Sequence, residues 1–143
     1  MKKIQFAALV FCVLIWSGCS DAVEPTDSGG ASANDDAIAR AFKTGASEVQ
    51  VEGEGVVTSI LSDDLDGSPH QRFIVRLASE QTLLITHNID LAPRVDGLSV
   101  GDTISFNGEY AWNAEGGVVH WTHHDPHKRH VPGWLKYNGR IYQ

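Results

Sequence analysis

Histidine is the residue type with the most chemical potential in this chain, and its distribution is uneven. The sequence has seven histidines, and most of them lie between positions 120 and 130. That group consists of His120, His123, His124, His127 and His130. Neutral imidazole is a good ligand for zinc and copper. The segment therefore predicts a transition-metal site for zinc or copper, with these five histidines as candidate ligands.

The spacing of these histidines is compatible with more than one arrangement. On a strand, alternate side chains share a face, so His120 and His123 would point to opposite sides. In a loop, the regular spacing of His124, His127 and His130 would let their imidazoles converge. Two alternatives stay open: weak adventitious metal binding, and a structural role in which the imidazoles fix an irregular loop by hydrogen bonding.

Three other residues are candidates for contacts with a small ligand. Trp121 has an aromatic ring of the kind that stacks on sugars or bases. Asp125 is next to the imidazoles and is able to accept a hydrogen bond from one that coordinates a metal. Arg72 lies near the start of a predicted strand. We assign Arg72, Trp121 and Asp125 to ligand binding.

His70 and His87 lie at the ends of predicted strands, where loops converge and sites are common. Either one is a candidate catalytic residue, acting as a general base near neutral pH. The alternative interpretation is that each imidazole caps its strand through hydrogen bonds. A combined site of His70, His87 and the 120–130 segment is a further expectation.

From Glu48 onward, hydrophobic residues recur with the period of two that is typical of half-buried β-strands. The predicted strands are 49–60, 72–77, 81–87, 103–112 and 118–122, followed by a hairpin of 135–137 with 140–142 through Asn138-Gly139. Three strands, a connection and a two-stranded hairpin resemble the OB-fold. We therefore predict an all-β fold over residues 48–143, a small OB-like barrel of five to six strands. An SH3-like barrel is the alternative.

The start of the chain has the pattern of an export signal. A short basic region precedes residues 4–16, which are almost entirely apolar. This run is shorter than the roughly 20 residues of a membrane-spanning helix and has the length of a signal-peptide core. Ser17-Gly18-Cys19 resembles the lipobox of bacterial lipoproteins. We predict a signal peptide over residues 1–18, a lipid on Cys19 that anchors the chain to the membrane, and an outer-membrane location facing the periplasm. An ordinary cleaved signal peptide is the alternative.

Composition and charge exclude several classes of protein. Residues 19–47 are rich in Ser, Gly, Ala and Asp, so we predict a disordered, flexible linker there. One or two helical turns over residues 37–42 are the alternative. Cys12 lies in the predicted signal peptide and Cys19 would be lipidated, which leaves no thiol for a disulfide or a nucleophile. The net charge of −7 argues against nucleic acid as a partner, because that affinity depends on neutralising phosphates.

Several segments together resemble a small bacterial family of exported proteins, a domain-of-unknown-function family. The segments are HQRFIV (70–75), LITHNIDLAPR (84–94), GVVHWTHHDP (117–126), GWL (133–135) and NG (138–139). The resemblance extends over residues 48–143. It implies a compact exported bacterial domain and brings no activity with it.

Three function hypotheses follow. The leading one is a non-enzymatic envelope module that binds a small ligand or a transition metal through the histidine-rich segment. The second is a metal-assisted hydrolase of a phosphoester or a cell-wall bond, which requires His70, His87, His123 and His124 in one cleft. The third is a non-catalytic scaffold that binds another envelope protein. The sequence has no nucleophile elbow, phosphate loop or dinucleotide fingerprint, and it therefore favours a binding role over an enzyme.

Overall fold

One helix precedes seven strands within residues 29–143, the part of the chain that the structure, a computed structural model, describes. The elements are α1 (Gly29–Thr44), β1 (Val49–Ile60), β2 (His70–Arg76), β3 (Thr82–Asn88), β4 (Thr103–Ala111), β5 (Val118–His120), β6 (Trp134–Tyr137) and β7 (Arg140–Tyr142). The predicted signal peptide and Cys19 lie outside the described residues. Within those residues, no helix has both the length and the hydropathy of a bilayer-crossing segment.

The first five strands close into a barrel. Their order is β1-β2-β3-β5-β4, and β4 pairs back onto β1. Neighbouring strands are antiparallel except β3 and β5, which are parallel. The predicted OB-like barrel is therefore confirmed.

Strand β1 closes the barrel because it pairs with two different strands along its length. Its first part pairs with β4 and its last part with β2. The register shifts between Val57 and Ser59, as at a β-bulge. Gly53 lets the Phe106 ring pack directly against the backbone of β1, since a Cβ at this position would lie 2.7 Å from that ring.

The inward-facing side chains of the barrel strands form the hydrophobic core. Burial alternates along each strand, as the period of two predicts. The largest fully buried apolar side chains are Tyr110, Phe73, Phe106, Ile38, Leu77, Leu83, Ile85, Ile104 and Leu135. Burying one such side chain stabilises the fold by about 1.5–3 kcal/mol. The outward-facing positions of the same strands are thereby left for a site.

Helix α1 covers part of the barrel and corrects one prediction. We expected a flexible linker up to residue 47, but residues 29–44 are helical, with Ile38 fully buried and Ala41 nearly so. Ile38, Ala41 and Phe42 are spaced to share one helix face, and that apolar face packs on the core. Trp112 fastens the helix by donating its indole N–H to the Phe42 carbonyl at 3.1 Å.

The final hairpin extends the sheet beyond β4. β6 pairs with β4 and β7 pairs with β6. The connecting residues Asn138 and Gly139 both have positive φ, 48° and 77°, which is the geometry of a type I′ turn. The predicted hairpin is confirmed.

Candidate functional site, a pocket lined by three histidines

The outward faces of β2, β3 and β5 meet at one end of the barrel. His70, the first residue of β2, pairs with Asn88, the last residue of β3. The parallel register of β3 with β5 pairs Ile85 with Val119, so the next positions, Thr86 and His120, are neighbours. The strand register thus brings His70 and His120 to the same edge, although they are far apart in sequence.

A pocket of about 180 Å³ lies at this edge. We call it the histidine pocket, and its lining residues are His70, Thr86, Asn88, Leu91, His120, Trp121 and His123. The pocket brings His70 together with two histidines of the 120–130 segment, and the combined site stays a prediction.

Each pocket imidazole has one ring nitrogen next to an oxygen that can only accept a hydrogen bond. His70 Nδ1 donates to the Ser68 carbonyl at 2.6 Å, and His123 Nδ1 donates to the His124 carbonyl at 2.8 Å. His120 Nε2 lies 3.2 Å from the carboxylate of Glu109. In the neutral imidazoles these contacts favour the proton on His70 Nδ1, His123 Nδ1 and His120 Nε2.

The opposite ring nitrogens of the three imidazoles remain available to a ligand. His70 Nε2, His120 Nδ1 and His123 Nε2 form no hydrogen bond with any residue that the structure describes. None of them is an unpartnered buried atom, so each has access to solvent. Three residues that line the pocket therefore each have a solvent-accessible ring nitrogen without a hydrogen-bond partner in the described part of the chain.

Glu109 links His120 to His130. Its second carboxylate oxygen accepts a hydrogen bond of 2.6 Å from His130 Nε2, while His130 Nδ1 donates to the Val131 carbonyl at 2.8 Å. Burial lowers the pKa of His130, but the hydrogen bonds to Glu109 and Val131 and the charge of Glu109 outweigh it and raise that pKa overall. For His120, burial is the largest effect and lowers its pKa, which favours the neutral ring.

His130 is therefore not available as the metal ligand that its spacing predicted. Both its ring nitrogens already donate hydrogen bonds, and its ring stacks on Trp121 with centroids 4.3 Å apart and planes 7° apart. Trp121 lines the pocket, but one face of its indole ring is covered by the His130 imidazole. That face is therefore not free to stack on a ligand. Its backbone has a φ of 53°, an uncommon value for a bulky residue that recurs at functional sites.

Asp125 builds the loop of residues 121–133 and does not line the histidine pocket. Its carboxylate accepts backbone hydrogen bonds from His127, Arg129 and His130 at 2.8, 2.7 and 3.0 Å. The hydrogen bond from His127 is the largest effect on the pKa of Asp125, which lies below its usual value. Asp125 therefore has a structural role in this loop, and the ligand-binding role stays a prediction that the histidine pocket does not support.

Replacing Asp125 by Ala tests this structural role. The change leaves three backbone N–H groups without their acceptor, so we expect faster amide hydrogen exchange at His127, Arg129 and His130 and a lower melting temperature. Asp66→Ala, at an exposed position of the β1–β2 loop, is the matched control. Unchanged exchange at the three amides in Asp125→Ala would contradict the assignment.

His87 lies inside the barrel, not in the pocket. It is fully buried; Nε2 donates to the Pro93 carbonyl at 3.1 Å and Nδ1 accepts from the Thr122 hydroxyl at 2.8 Å. Burial lowers its pKa to about 4, so the ring is neutral at physiological pH. The prediction of His87 as a catalytic base is therefore replaced by a structural role that joins β3 to Thr122.

The remaining predicted residues do not line the histidine pocket, although Arg72 is the cross-strand partner of Thr86. His124 and His127 are exposed. Arg72 is held by the Ser62 carbonyl at 3.0 Å and lies 3.9 Å from Asp64. The histidines that the hydrolase hypothesis requires are thus separated, since His87 is internal and His124 faces solvent. Within residues 29–143, no three His, Cys, Asp or Glu side chains are arranged around a common metal position.

The sequence marked Glu109 as a carboxylate without linking it to the histidines, and it did not predict the wall formed by Asn88, Thr86 and Leu91. Glu109 was detectable from the β4–β5 hairpin, because its register places Glu109 opposite His120. Asn88 turns the chain after β3: its side-chain oxygen accepts the backbone N–H groups of Asp90 and Leu91. That turn brings Leu91 over the pocket, and the sequence has no clear signal for it.

Comparison with known families decides where the chain belongs. Residues 24–143 match the family described as Protein of unknown function (DUF3465). The chain belongs to this family. The match begins ahead of α1, so the helix and the barrel are both parts of the DUF3465 region. Comparison with curated proteins gives no match.

Proposed function

We propose that this DUF3465 protein is a non-enzymatic ligand-binding module and that the histidine pocket is its binding site. The observation that supports the proposal is the set of three imidazoles, each oriented by an acceptor and each with its second nitrogen open to solvent. An OB-like barrel commonly binds its ligands on the outer face of the second and third strands, which is where this pocket lies.

The shape and chemistry of the pocket limit the ligand. A volume of about 180 Å³ suits a small molecule or an ion, not a polymer chain. The Asn88 side chain adds an amide N–H₂ donor, because its oxygen is already bound to the backbone. Leu91 supplies one apolar wall. No Lys or Arg from the described part of the chain lines the pocket, and Arg72, the cross-strand partner of Thr86, is held by the Ser62 carbonyl.

Ligand titration with a pocket-filling variant tests this function. In two-dimensional NMR of the chain from residue 24, we expect small polar fragments to shift the resonances of His70, Asn88 and His120. Thr86→Trp fills the pocket and should weaken the binding at least tenfold. Ile74→Trp, on the outward face of the neighbouring strand β2 but away from the histidine pocket, should leave the binding unchanged. Binding that maps elsewhere or survives Thr86→Trp would contradict the proposal.

The proposed location is the bacterial envelope, with the chain anchored by a lipid on Cys19. The support is the resemblance of Ser17-Gly18-Cys19 to a lipobox after an apolar run. We expect the full chain, expressed in a bacterium, to fractionate with membranes and to incorporate labelled palmitate. Cys19→Ser should abolish both, while Cys12→Ser should abolish neither. Unchanged labelling in Cys19→Ser would overturn the anchor.

A further inference from the structure

We propose that a second pocket, on the outward face of β1, β4 and β6, binds a neutral pyranose sugar. We call it the tryptophan pocket, and it has a volume of about 270 Å³. The side chains that line it are Asn34, Glu52, Glu54, Ser105, Trp134 and Lys136. It shares no residue with the histidine pocket, so this inference goes beyond the proposed function and does not depend on it.

The strand register places the polar side chains of this face in two rows that cross β1, β4 and β6. Neighbouring strands lie about 5 Å apart, so the outer members of a row are about 10 Å apart at the backbone. The side chains on β1 and on β6 are therefore too far apart to pair directly, and a ligand has room above the β4 side chains between them. The rows are Glu52-Asn107-Trp134 and Glu54-Ser105-Lys136.

Hydrogen bonds between β1 and β4 hold the acceptors of the pocket in place. Ser105 Oγ donates to Glu54 Oε2 at 2.8 Å, and Asn107 Nδ2 donates to Glu52 Oε2 at 3.3 Å. Asn107 Oδ1 in turn accepts from Gln50 at 2.6 Å. Each contact uses one carboxylate oxygen, and Oε1 of Glu52 and of Glu54 has no partner in the described part of the chain. The pocket thus presents two pre-oriented acceptors, which lowers the entropy cost of binding.

Trp134 supplies an aromatic surface that the protein itself does not use. Its indole is half-buried, and within residues 29–143 it has no aromatic partner. The other two indoles of these residues differ, since Trp112 stacks on Phe42 and Trp121 stacks on His130. The Trp134 N–H also has no acceptor among the described residues, although a buried indole usually finds one. The Trp134 side chain is therefore available to a ligand.

Charges of both signs line the tryptophan pocket, and they favour a neutral ligand. The ion pairs within the described residues do not include Glu52, Glu54 or Lys136. The carboxylates repel an anion, and the ammonium repels a cation. A pyranose has hydroxyl groups that donate to carboxylates and accept from an ammonium, and an apolar C–H face that lies on an indole ring. This combination matches the lining of the pocket.

NMR titration of the full chain with three sugars tests the inference. The probes are methyl glucoside, methyl galactoside and N-acetylglucosamine. We expect at least one of them to shift the indole N–H resonance of Trp134, with a dissociation constant of about 1 mM, the range for a ligand of this size. The indole resonances of Trp112 and Trp121 are internal references and should not move.

Variants of the lining residues identify the contacts. Their affinity is measured by saturation transfer to the sugar, which does not need Trp134 as a reporter. Trp134→Leu and Glu54→Gln should each weaken the binding about tenfold, through loss of the ring face and of the charged acceptor. Lys136→Met should also weaken it, because a hydroxyl loses its donor. Glu115→Gln, at an exposed position of the β4–β5 turn, is the matched control and should bind as the parent does. Melting curves confirm that each variant is folded.

The outcomes separate the sugar from other occupants and from the first pocket. An unshifted Trp134 resonance with all three sugars would overturn the inference. Tetramethylammonium binding that becomes tighter in Lys136→Met would show a cation site instead, and a shift with adenosine but with no sugar would show a nucleoside site. Thr86→Trp, which fills the histidine pocket, should leave sugar binding unchanged. Loss of sugar binding in that variant would place the sugar in the histidine pocket and overturn the assignment to Trp134.

Discussion

Replacing Gly133 by Ala should lower the stability of the protein by about 3 kcal/mol or more, a drop in melting temperature of roughly 10 °C or more. Gly133 is buried between the 121–133 loop and β4. A Cβ there would clash with the backbone oxygen of Trp121 and lie 2.5 Å from the backbone oxygen of Asn107. Relief of that clash requires the loop to move away from β4, which strains the backbone hydrogen bond from Gly133 N–H to the His123 carbonyl.

A second glycine separates this packing effect from a general effect of adding a methyl group. Gly67 has a φ of 74° and open space around it, so Gly67→Ala should cost only about 1 kcal/mol through its backbone conformation. Thermal melting of both variants provides the comparison. A Gly133→Ala protein as stable as Gly67→Ala would show that the loop does not pack against β4 as described.

Acidification should destabilise the protein through His87. The pKa of His87 is about 4 in the folded state, because burial lowers it from 6.5. As the pH falls below 6.5, His87 becomes protonated in the unfolded chain. In the folded protein it stays neutral until the pH nears 4. Stability from the neutral ring is therefore complete above pH 6.5 and is lost progressively toward pH 4. The loss is about 3 kcal/mol in full and about 2 kcal/mol by pH 5.

Urea unfolding at pH 7.5 and pH 5 measures this effect. His87→Gln does not titrate in this range and keeps an amide N–H for the Pro93 carbonyl. The variant should be less stable than the parent at pH 7.5 and should lose about 2 kcal/mol less than the parent on going to pH 5. The lowered pKa of His120 also reduces stability on acidification. Because His120 is present in both proteins, its contribution cancels when the two stability losses are compared. Equal losses in the two proteins would show that His87 titrates as a solvated imidazole.

The barrel was predictable because its strands obey simple local rules. Alternation such as that of 72–77 determines which side chains enter the core, and Asn138-Gly139 requires positive φ at two adjacent residues. Helix α1 was predicted only as one or two turns over residues 37–42, because the composition of the segment is that of a linker and its apolar face is short. Ile38 and Ala41 become informative only when the barrel surface that they cover is known.

The sequence drew attention to histidine but did not predict which histidines line the candidate pocket. Regular spacing suggested that His124, His127 and His130 would converge, but the 121–133 loop is shaped by Asp125 and by positive φ at Trp121 and Lys128. These local features turn His124 and His127 to solvent. His70 joined the site through the pairing of β2 with β3, a long-range contact that spacing along the sequence does not reveal.

The most direct test of the account is the tautomer of each pocket histidine, measured by long-range proton–nitrogen NMR at a pH where the rings are neutral. The account predicts a proton on Nδ1 of His70 and His123 and on Nε2 of His120, with exposed His127 as the solvent-averaged reference. This pattern would establish that each of the three imidazoles is held by its acceptor and keeps a lone pair on the opposite ring nitrogen. A proton on Nε2 of His70 and His123, or spectra like that of His127, would contradict the histidine pocket as a preorganised binding site.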